Sequence, residues 1–186
     1  YYAKPRKIGR QGDFFTSVSV GPCFGMLLAR QIRQIWEQWD KPADFQVVEQ
    51  GAHDGQLAED ILGNLENVKY TTIEPNAAYR EAQSHRFGVG KIAQKTVAGN
   101  FCAETGIFLC NELLDAFPVD RYRVEDGQLK KLHLVEEFQE HWSNSPDEKA
   151  RSDVVEYEHS PHIRPWLTQL HQTFTRGVFL IIDYGY

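Results

Sequence analysis

The chain has 186 residues, 41% of them hydrophobic, and a formal net charge of -6 from 20 Lys/Arg against 26 Asp/Glu. That length suits one α/β domain with an insertion. The apolar content excludes a disordered chain, and the acidic balance without any Lys/Arg block argues against nucleic acid as a partner. Three widely spaced cysteines without a C-x-x-C pair exclude a disulfide framework or a zinc site, so no metal is expected. No apolar run reaches membrane-spanning length, and the residues read as those of a reducing compartment.

In chain order, Phe24, Leu27, Leu28, Ile32, Ile35, Trp36 and Trp39 recur at helical spacing. They predict an amphipathic helix over 24–39 after Gly21-Pro22, closed by Pro42. Such a helix could also serve as an oligomer interface. A buried strand follows at 45–49. A helix beginning near Gly55 carries Leu57, Ala58, Ile61, Leu62 and Leu65. Lys69–Ile73 reads as a second strand with Glu74-Pro75 at its tip, and Asn76 caps a helix to about His85. Residues 91–98 are a third strand candidate and 106–110 a fourth. Residues 119–135 alternate around Asp126-Gly127, the signature of a β-hairpin, whereas the charged stretch 139–153 reads as a loop. Ser160-Pro161 opens a helix whose face carries Ile163, Trp166, Leu167, Leu170 and Phe174, with Gly177 at its C-terminal end. Val178–Ile182 is then a central buried strand.

Alternating strands and helices predict a doubly wound, mostly parallel α/β sheet carrying a hairpin insertion. The first 22 residues are expected to border the site and 23–186 to form the core, with 119–157 as an inserted substrate region. The chain opens on Tyr1-Tyr2 and stops directly after a strand, which reads as a cut through a larger fold at both ends.

In open α/β sheets ligands bind beyond the carboxyl ends of the strands. Three such ends are chemically marked here. Glu49-x-Gly51-x-His53-x-Gly55 has an acid and two glycines at the spacing of a nucleotide-binding first loop. Gly51 would permit the turn, and Gly55 would let the next helix approach the sheet with its N–H groups aimed at a ligand. Glu74, about twenty residues on, is placed to accept the two hydroxyls of a ribose. Asn111, Glu112 and Asp115 follow the strand at 106–110, and Asp183 follows the last strand. The loop lacks the full dinucleotide pattern and any Walker lysine, and Asp54 would repel a pyrophosphate. A cationic sulfonium cofactor, S-adenosylmethionine (SAM), is favoured over a nicotinamide dinucleotide. Asn100 and Phe101, after the third strand, would flank its adenine. His53 reads as a loop residue touching solvent rather than as a base.

Four blocks then resemble the MidA-like family of SAM-dependent methyltransferases, which includes mitochondrial complex I assembly factors and bacterial relatives. They are Ile8 to Ser17 (IGRQGDFFTS), Val47 to Leu57, Asn111 to Val119 (NELLDAFPV) and Asp183-Tyr184-Gly185-Tyr186. The resemblance implies a class I methyltransferase fold and transfer of methyl to a protein side chain. Arginine is the leading substrate, with a respiratory-complex subunit as a possible target. It adds Gly12, Asp13 and Thr16 to the cofactor set of Glu49, Gly51, His53, Asp54, Gly55, Glu74, Asn100 and Phe101. Asn111, Glu112, Asp115 and Asp183 would face the transferred methyl group. The compartment would be cytoplasmic in a bacterium and the mitochondrial matrix in a eukaryote. The chain departs from the family where His53 replaces the central loop glycine, Asp54 the following arginine and Ala52 a proline. A non-catalytic SAM-binding assembly or chaperone module with a degenerate loop is the alternative.

Overall fold

The computed structural model describes residue 18 and residues 21–88, 90–97, 103–135, 139–145 and 155–183. The chain divides into two units, one running to Ala116 and resuming at Thr168, the other Phe117–Leu167.

The first unit is built on five parallel strands: β1 (Gln46–Gln50), β2 (Lys69–Ile73), β3 (Ala93–Lys95), β4 (Ala103–Asn111) and β9 (Phe174–Ile182). Their order is β3-β2-β1-β4-β9, so the chain moves outward from β1 to β3 and then returns to its other side. Helix α1 (Cys23–Gln38) buries Leu28, Ala29 and Ile32, and α2 (Gln56–Leu62) buries Leu57, Ala58 and Ile61. These six side chains join Val47, Tyr70, Ile107 and Leu109 in one apolar core. Val48, Thr71, Ile73, Phe108 and Cys110, which alternate with those strand residues, are buried as well. Strands covered on both faces explain the continuous apolar runs in the sequence. Trp36 and Trp39 pack at the edge of this core, while Leu27 stays 60% exposed and is not on the buried face. Helix α3 (Ala77–Phe87) starts where read, with the Asn76 side chain accepting from the Ala78 amide.

The second unit is an antiparallel sheet of order β7-β6-β5-β8, made of β5 (Asp120–Glu125), β6 (Gln128–Leu134), β7 (Glu140–Asn144) and β8 (Glu156–His159). Asp126 and Gly127 form its two-residue turn, both with positive φ (53° and 72°), as an Asp-Gly hairpin turn requires. Tyr122 is buried and stacks on Tyr157 at 5.4 Å between ring centroids. Helix α4 spans Ile163–His171. No described helix is long and apolar enough to cross a membrane.

Several local expectations need correction. Residues 140–144 form a strand, not a loop. They pair with β6, and Trp142 sits beneath the Arg123 guanidinium at 4.2 Å, so no run of apolar residues advertises the strand. β9 begins at Phe174 and lies at the end of the described strand order, with Phe179 and Ile181 39% and 38% exposed. Among the described residues it pairs on one side only, with β4. α4 starts at Ile163 rather than at Pro161, and Gly177 lies inside β9 rather than ending the helix. The reason is steric. Gly177 pairs with Gly106 of β4, and a Cβ on either would come within 2.7 Å of the Phe174 ring.

Gly106 is the tighter of the two, because its Cβ would also lie 2.3 Å from the Gln46 carbonyl oxygen in β1. Gly106→Ala is expected to lower the unfolding free energy by about 1–3 kcal/mol through overpacking. Urea denaturation checks this, and an unchanged midpoint would show that the β1–β4 ladder has slack.

Candidate functional site

Parallel register carries the strand ends to one level. Gln50 pairs with Ile73 on one side and Cys110 on the other, and Asn111 pairs with Ile182. Each ladder continues one residue further: Gly51 N–H donates to Ile73 O at 2.9 Å, Glu74 N–H to Lys95 O at 2.9 Å, and Glu112 N–H to Ile182 O at 2.8 Å. Glu74, Gly51, Asn111-Glu112 and Asp183 therefore follow four neighbouring strands in one row. Three strand spacings make that row roughly 14 Å long. It straddles β1, where the direction of winding reverses, the usual position of a ligand crevice.

Gly51 has φ of 76° and an exposed backbone, and a Cβ there would approach Leu113 Cδ1 to 3.2 Å. Glu49 is buried, and its Oε2 accepts from Tyr70 Oη at 2.8 Å. Burial, with smaller contributions from the Asp54 and Glu74 charges, lifts its carboxyl from 4.5 to about 7. Glu74 is also buried. Its Oε2 accepts from His53 N–H at 3.0 Å and its Oε1 from Asn76 N–H at 2.9 Å. Desolvation raises its pKa, partly offset by those two amides. Each carboxylate oxygen keeps a second lone pair, so the group remains able to accept a diol.

The rest of the loop is organised differently from the expectation. Gly55, at φ 85°, makes room for α3 rather than for approach of α2 to the sheet: a Cβ there would meet Phe87 Cε2 at 2.8 Å and Gln83 Cγ at 3.1 Å. The first amide of α2, on Gln56, donates to Asp54 Oδ1 at 3.2 Å and so is satisfied within the loop. Asp54 Oδ2 accepts from Arg86 Nη2 at 3.0 Å. The His53 hydrogen bond first, and the Arg86 charge after it, hold the Asp54 carboxyl below the usual range. Its charge is thus engaged on α3, and preference for a cationic ligand rests on the other carboxylates. His53, at φ 47°, touches solvent with 28% of its side chain exposed, yet its ring packs on Tyr79 at 3.7 Å, and its Nε2 is buried with no partner among the described residues.

At the far end of the row, Asp183 Oδ2 accepts from Leu114 N–H at 2.7 Å. That bond ties the 3-10 turn Leu114–Ala116 to the end of β9. Glu112 adopts φ of 51°, and Asn111 and Glu112 are half-buried. Loss of solvent, then the Asp183 and Glu112 charges, raise the Asp115 carboxyl, so three carboxylates share this end. Burial and Asp183 push the Cys110 thiol up to about 12, which removes it as a nucleophile. Gly12, Asp13, Thr16, Asn100, Phe101 and Tyr184 lie outside the described residues. Tyr70, Tyr79, Gln83 and Arg86 were missed. The signal for the last three was a polar stripe at i, i+4 and i+7 on a helix, facing the sheet side.

The profile of a family described as "Putative S-adenosyl-L-methionine-dependent methyltransferase" matches residues 27–186. The chain belongs to that family. The MidA-like resemblance and SAM as the family's cofactor stand with it. A Drosophila melanogaster relative named "Protein arginine methyltransferase NDUFAF7 homolog, mitochondrial" is 32% identical over 160 residues, covering 71% of this chain and 37% of the relative. The Xenopus laevis protein of that kind is 36% identical, covering 71% and 38%. A Burkholderia thailandensis superfamily member solved with S-adenosyl-homocysteine bound superposes with a TM-score of 0.75 at 20% identity, covering 97% of this chain and 52% of that one. This likeness bears out the expected α/β methyltransferase fold. The chain spans little more than a third of those curated relatives and about half of that solved structure.

The Glu49 carboxyl gives a pH signature. Below pH 4.5 the folded and unfolded chains both hold its proton and its contribution to stability is complete. As pH rises the unfolded chain releases the proton first, so stability declines until the folded carboxyl titrates near 7, and then levels off. Glu49→Gln keeps an acceptor for Tyr70 and removes the titration. Its stability relative to wild type is expected to climb across that window by up to about 1.4 kcal/mol per pH unit. Urea unfolding of both proteins against pH checks this, and parallel profiles would mean that Glu49 ionises as an ordinary carboxylate.

Proposed function

We propose that the protein carrying this chain is a SAM-dependent methyltransferase that methylates arginine in a protein substrate. The observation that carries the reading is the single row of Gly51, Glu74, Glu112 and Asp183 across the switch in strand order. The names of the 32% and 36% identical relatives support the acceptor class.

The residues fit such a cofactor. The exposed backbone at Gly51 lets a ligand lie close, Glu74 has lone pairs left for a ribose diol, and the carboxylates suit an ammonium and a sulfonium. Bound SAM supplies an electrophilic methyl group. Glu49 and the 51–55 loop would hold its methionine end and Glu74 its ribose. Gly12, Asp13, Thr16, Asn100 and Phe101 would complete the pocket. Residues 1–22 would border it and 119–157 would receive substrate.

At the other end, Glu112 would grip the guanidinium through paired charge-assisted hydrogen bonds, with Asn111 and Asp115 beside it. The guanidinium enters protonated, and a nitrogen would lose a proton as its bond to the methyl carbon forms and the methyl–sulfur bond breaks, leaving S-adenosyl-homocysteine. Glu112 or Asp183 would take that proton. A respiratory-complex subunit is the substrate favoured by the motif resemblance. The compartment would be mitochondrial in a eukaryote, as for the named relatives, and cytoplasmic in a bacterium.

His53 favours a second reading. A bulky residue at φ 47° occupies the family's central glycine position, as expected if the loop served a non-catalytic assembly module. Calorimetry with SAM followed by labelled-methyl transfer to cell extract separates the two, because binding without transfer supports the module. In the full-length protein, Glu112→Gln is expected to keep SAM affinity within about twofold and to lower turnover roughly 10–100-fold, the cost of one charged hydrogen bond. Equal turnover would remove Glu112 from the reaction.

A further inference from the structure

We propose that α3 is a clamp on the cofactor loop, and that Gln83 and Arg86 are positioning residues that hold residues 53–55 in their binding shape. The proposal rests on the reading of that loop as the SAM site.

Three alternate loop residues, Gly51, His53 and Gly55, have φ of 76°, 47° and 85°. A side chain at left-handed φ persists only where surrounding contacts over-determine it. Those contacts come from one face of α3. Gln83 is fully buried, and its Nε2 donates to the His53 carbonyl at 2.6 Å. Its amide is oriented from the other side, since Gln83 Oε1 accepts from Thr72 Oγ1 of β2 at 2.7 Å and from Gln94 Nε2 of β3 at 3.2 Å. Arg86 takes the next residue twice, donating from Nε to the Asp54 carbonyl at 3.1 Å and from Nη2 to Asp54 Oδ2 at 3.0 Å. It also pairs with Glu59 of α2. The Tyr79 ring lies against His53, and Phe87 closes over Gly55 where no Cβ would fit.

Residues 79, 83, 86 and 87 are spaced to share one stripe of a helix. Each loop residue from 53 to 55 is thus fixed from the same element. Glu74 ties the assembly to the row of strand ends, because its two oxygens take the amides of His53 in the loop and Asn76 at the start of α3. A shift of α3 would move the loop and the ribose-facing carboxylate together. The exchanged pair His53-Asp54 is therefore matched by Tyr79 and Arg86, and the loop is built for a fixed shape.

The test uses the full-length protein, with Arg86→Met to remove the guanidinium while keeping a long apolar stem, and Gln83→Met to remove the amide. Two readouts are needed. The first is amide hydrogen exchange without any ligand. Both variants are expected to speed exchange at His53 and Gly55 at least tenfold while amides within β1 and β4 keep wild-type rates. The second is calorimetry with S-adenosyl-homocysteine together with steady-state kinetics. Affinity is expected to fall about tenfold and KM for SAM to rise in step, with kcat within twofold. Asp54→Asn, which keeps the shape and the acceptor for Gln56, serves if Arg86→Met loses the sheet's protection as well. It is expected to loosen the loop in the same direction, and added to Arg86→Met it should weaken the loop no further. Wild-type exchange in the loop of these variants, or additive effects of the pair, would overturn the clamp. A wild-type protein that fails to bind S-adenosyl-homocysteine would instead overturn the SAM reading, and the ligand-free exchange would still decide the clamp.

Discussion

The constraint on which the rest depends is the parallel ladder that β1 makes with β2 on one side and β4 on the other. Parallel strands end on the same side of a sheet, and evenly spaced hydrogen bonds leave no freedom to slide one past another. Once Gln50 is opposite both Ile73 and Cys110, the residues that follow must emerge side by side. Polar residues separated by about sixty positions in sequence are brought level in this way. Because β1 and β4 are buried on both faces, a slip of one residue would still bury apolar side chains. Glycine helps to forbid it: Gly106 fits only where the Gln46 carbonyl and the Phe174 ring leave no Cβ space.

Placing carboxylates at such strand ends is costly, since a buried acid loses its hydration. The two buried acids meet that cost in different ways. Glu74 receives two backbone amides, which stabilise the charged form and offset part of its desolvation. Among the described residues Glu49 has the Tyr70 hydroxyl and two acidic neighbours, so protonation is its easier escape. A carboxyl held near neutrality beside the 51–55 loop responds strongly to any cation placed next to it, whereas Glu74 already accepts from two amides. That division of labour is typical of a site and unusual for a core.

What was legible in the sequence was local. Lys69–Ile73 could be read because its apolar residues end in Glu-Pro, and the hairpin because Asp126-Gly127 has one sensible turn. Asn76 was readable as a cap for the same reason. The errors occurred where the deciding partner is far along the chain. Gly177 follows a helix closely enough to look like its terminator, but its role comes from pairing with Gly106. Glu140–Asn144 is a strand because β6 accepts it, and its charge says nothing of that. At the site, Glu49, Gly51 and Glu74 were visible as strand-end residues. The destination of the Asp54 carboxylate was not, because Arg86 lies 32 residues away on a helix of weak amphipathic character.

The loop shows how such distant partners change the meaning of a substitution. Seen in sequence alone, histidine in place of a glycine looks like decay, since the left-handed backbone then costs about 1–2 kcal/mol. In the folded chain the same residue gains a ring contact with Tyr79, a hydrogen bond to its carbonyl from Gln83 and one from its amide to Glu74. The two backbone hydrogen bonds, worth about 1 kcal/mol each, would form with glycine as well, so what histidine itself adds is the ring contact. A loop that had lost its purpose would not need to keep three of its residues against one helix face. Where the chain departs from the family pattern, side chains of α3 hold the loop through the Tyr79 ring, the Gln83 amide and the Arg86 guanidinium.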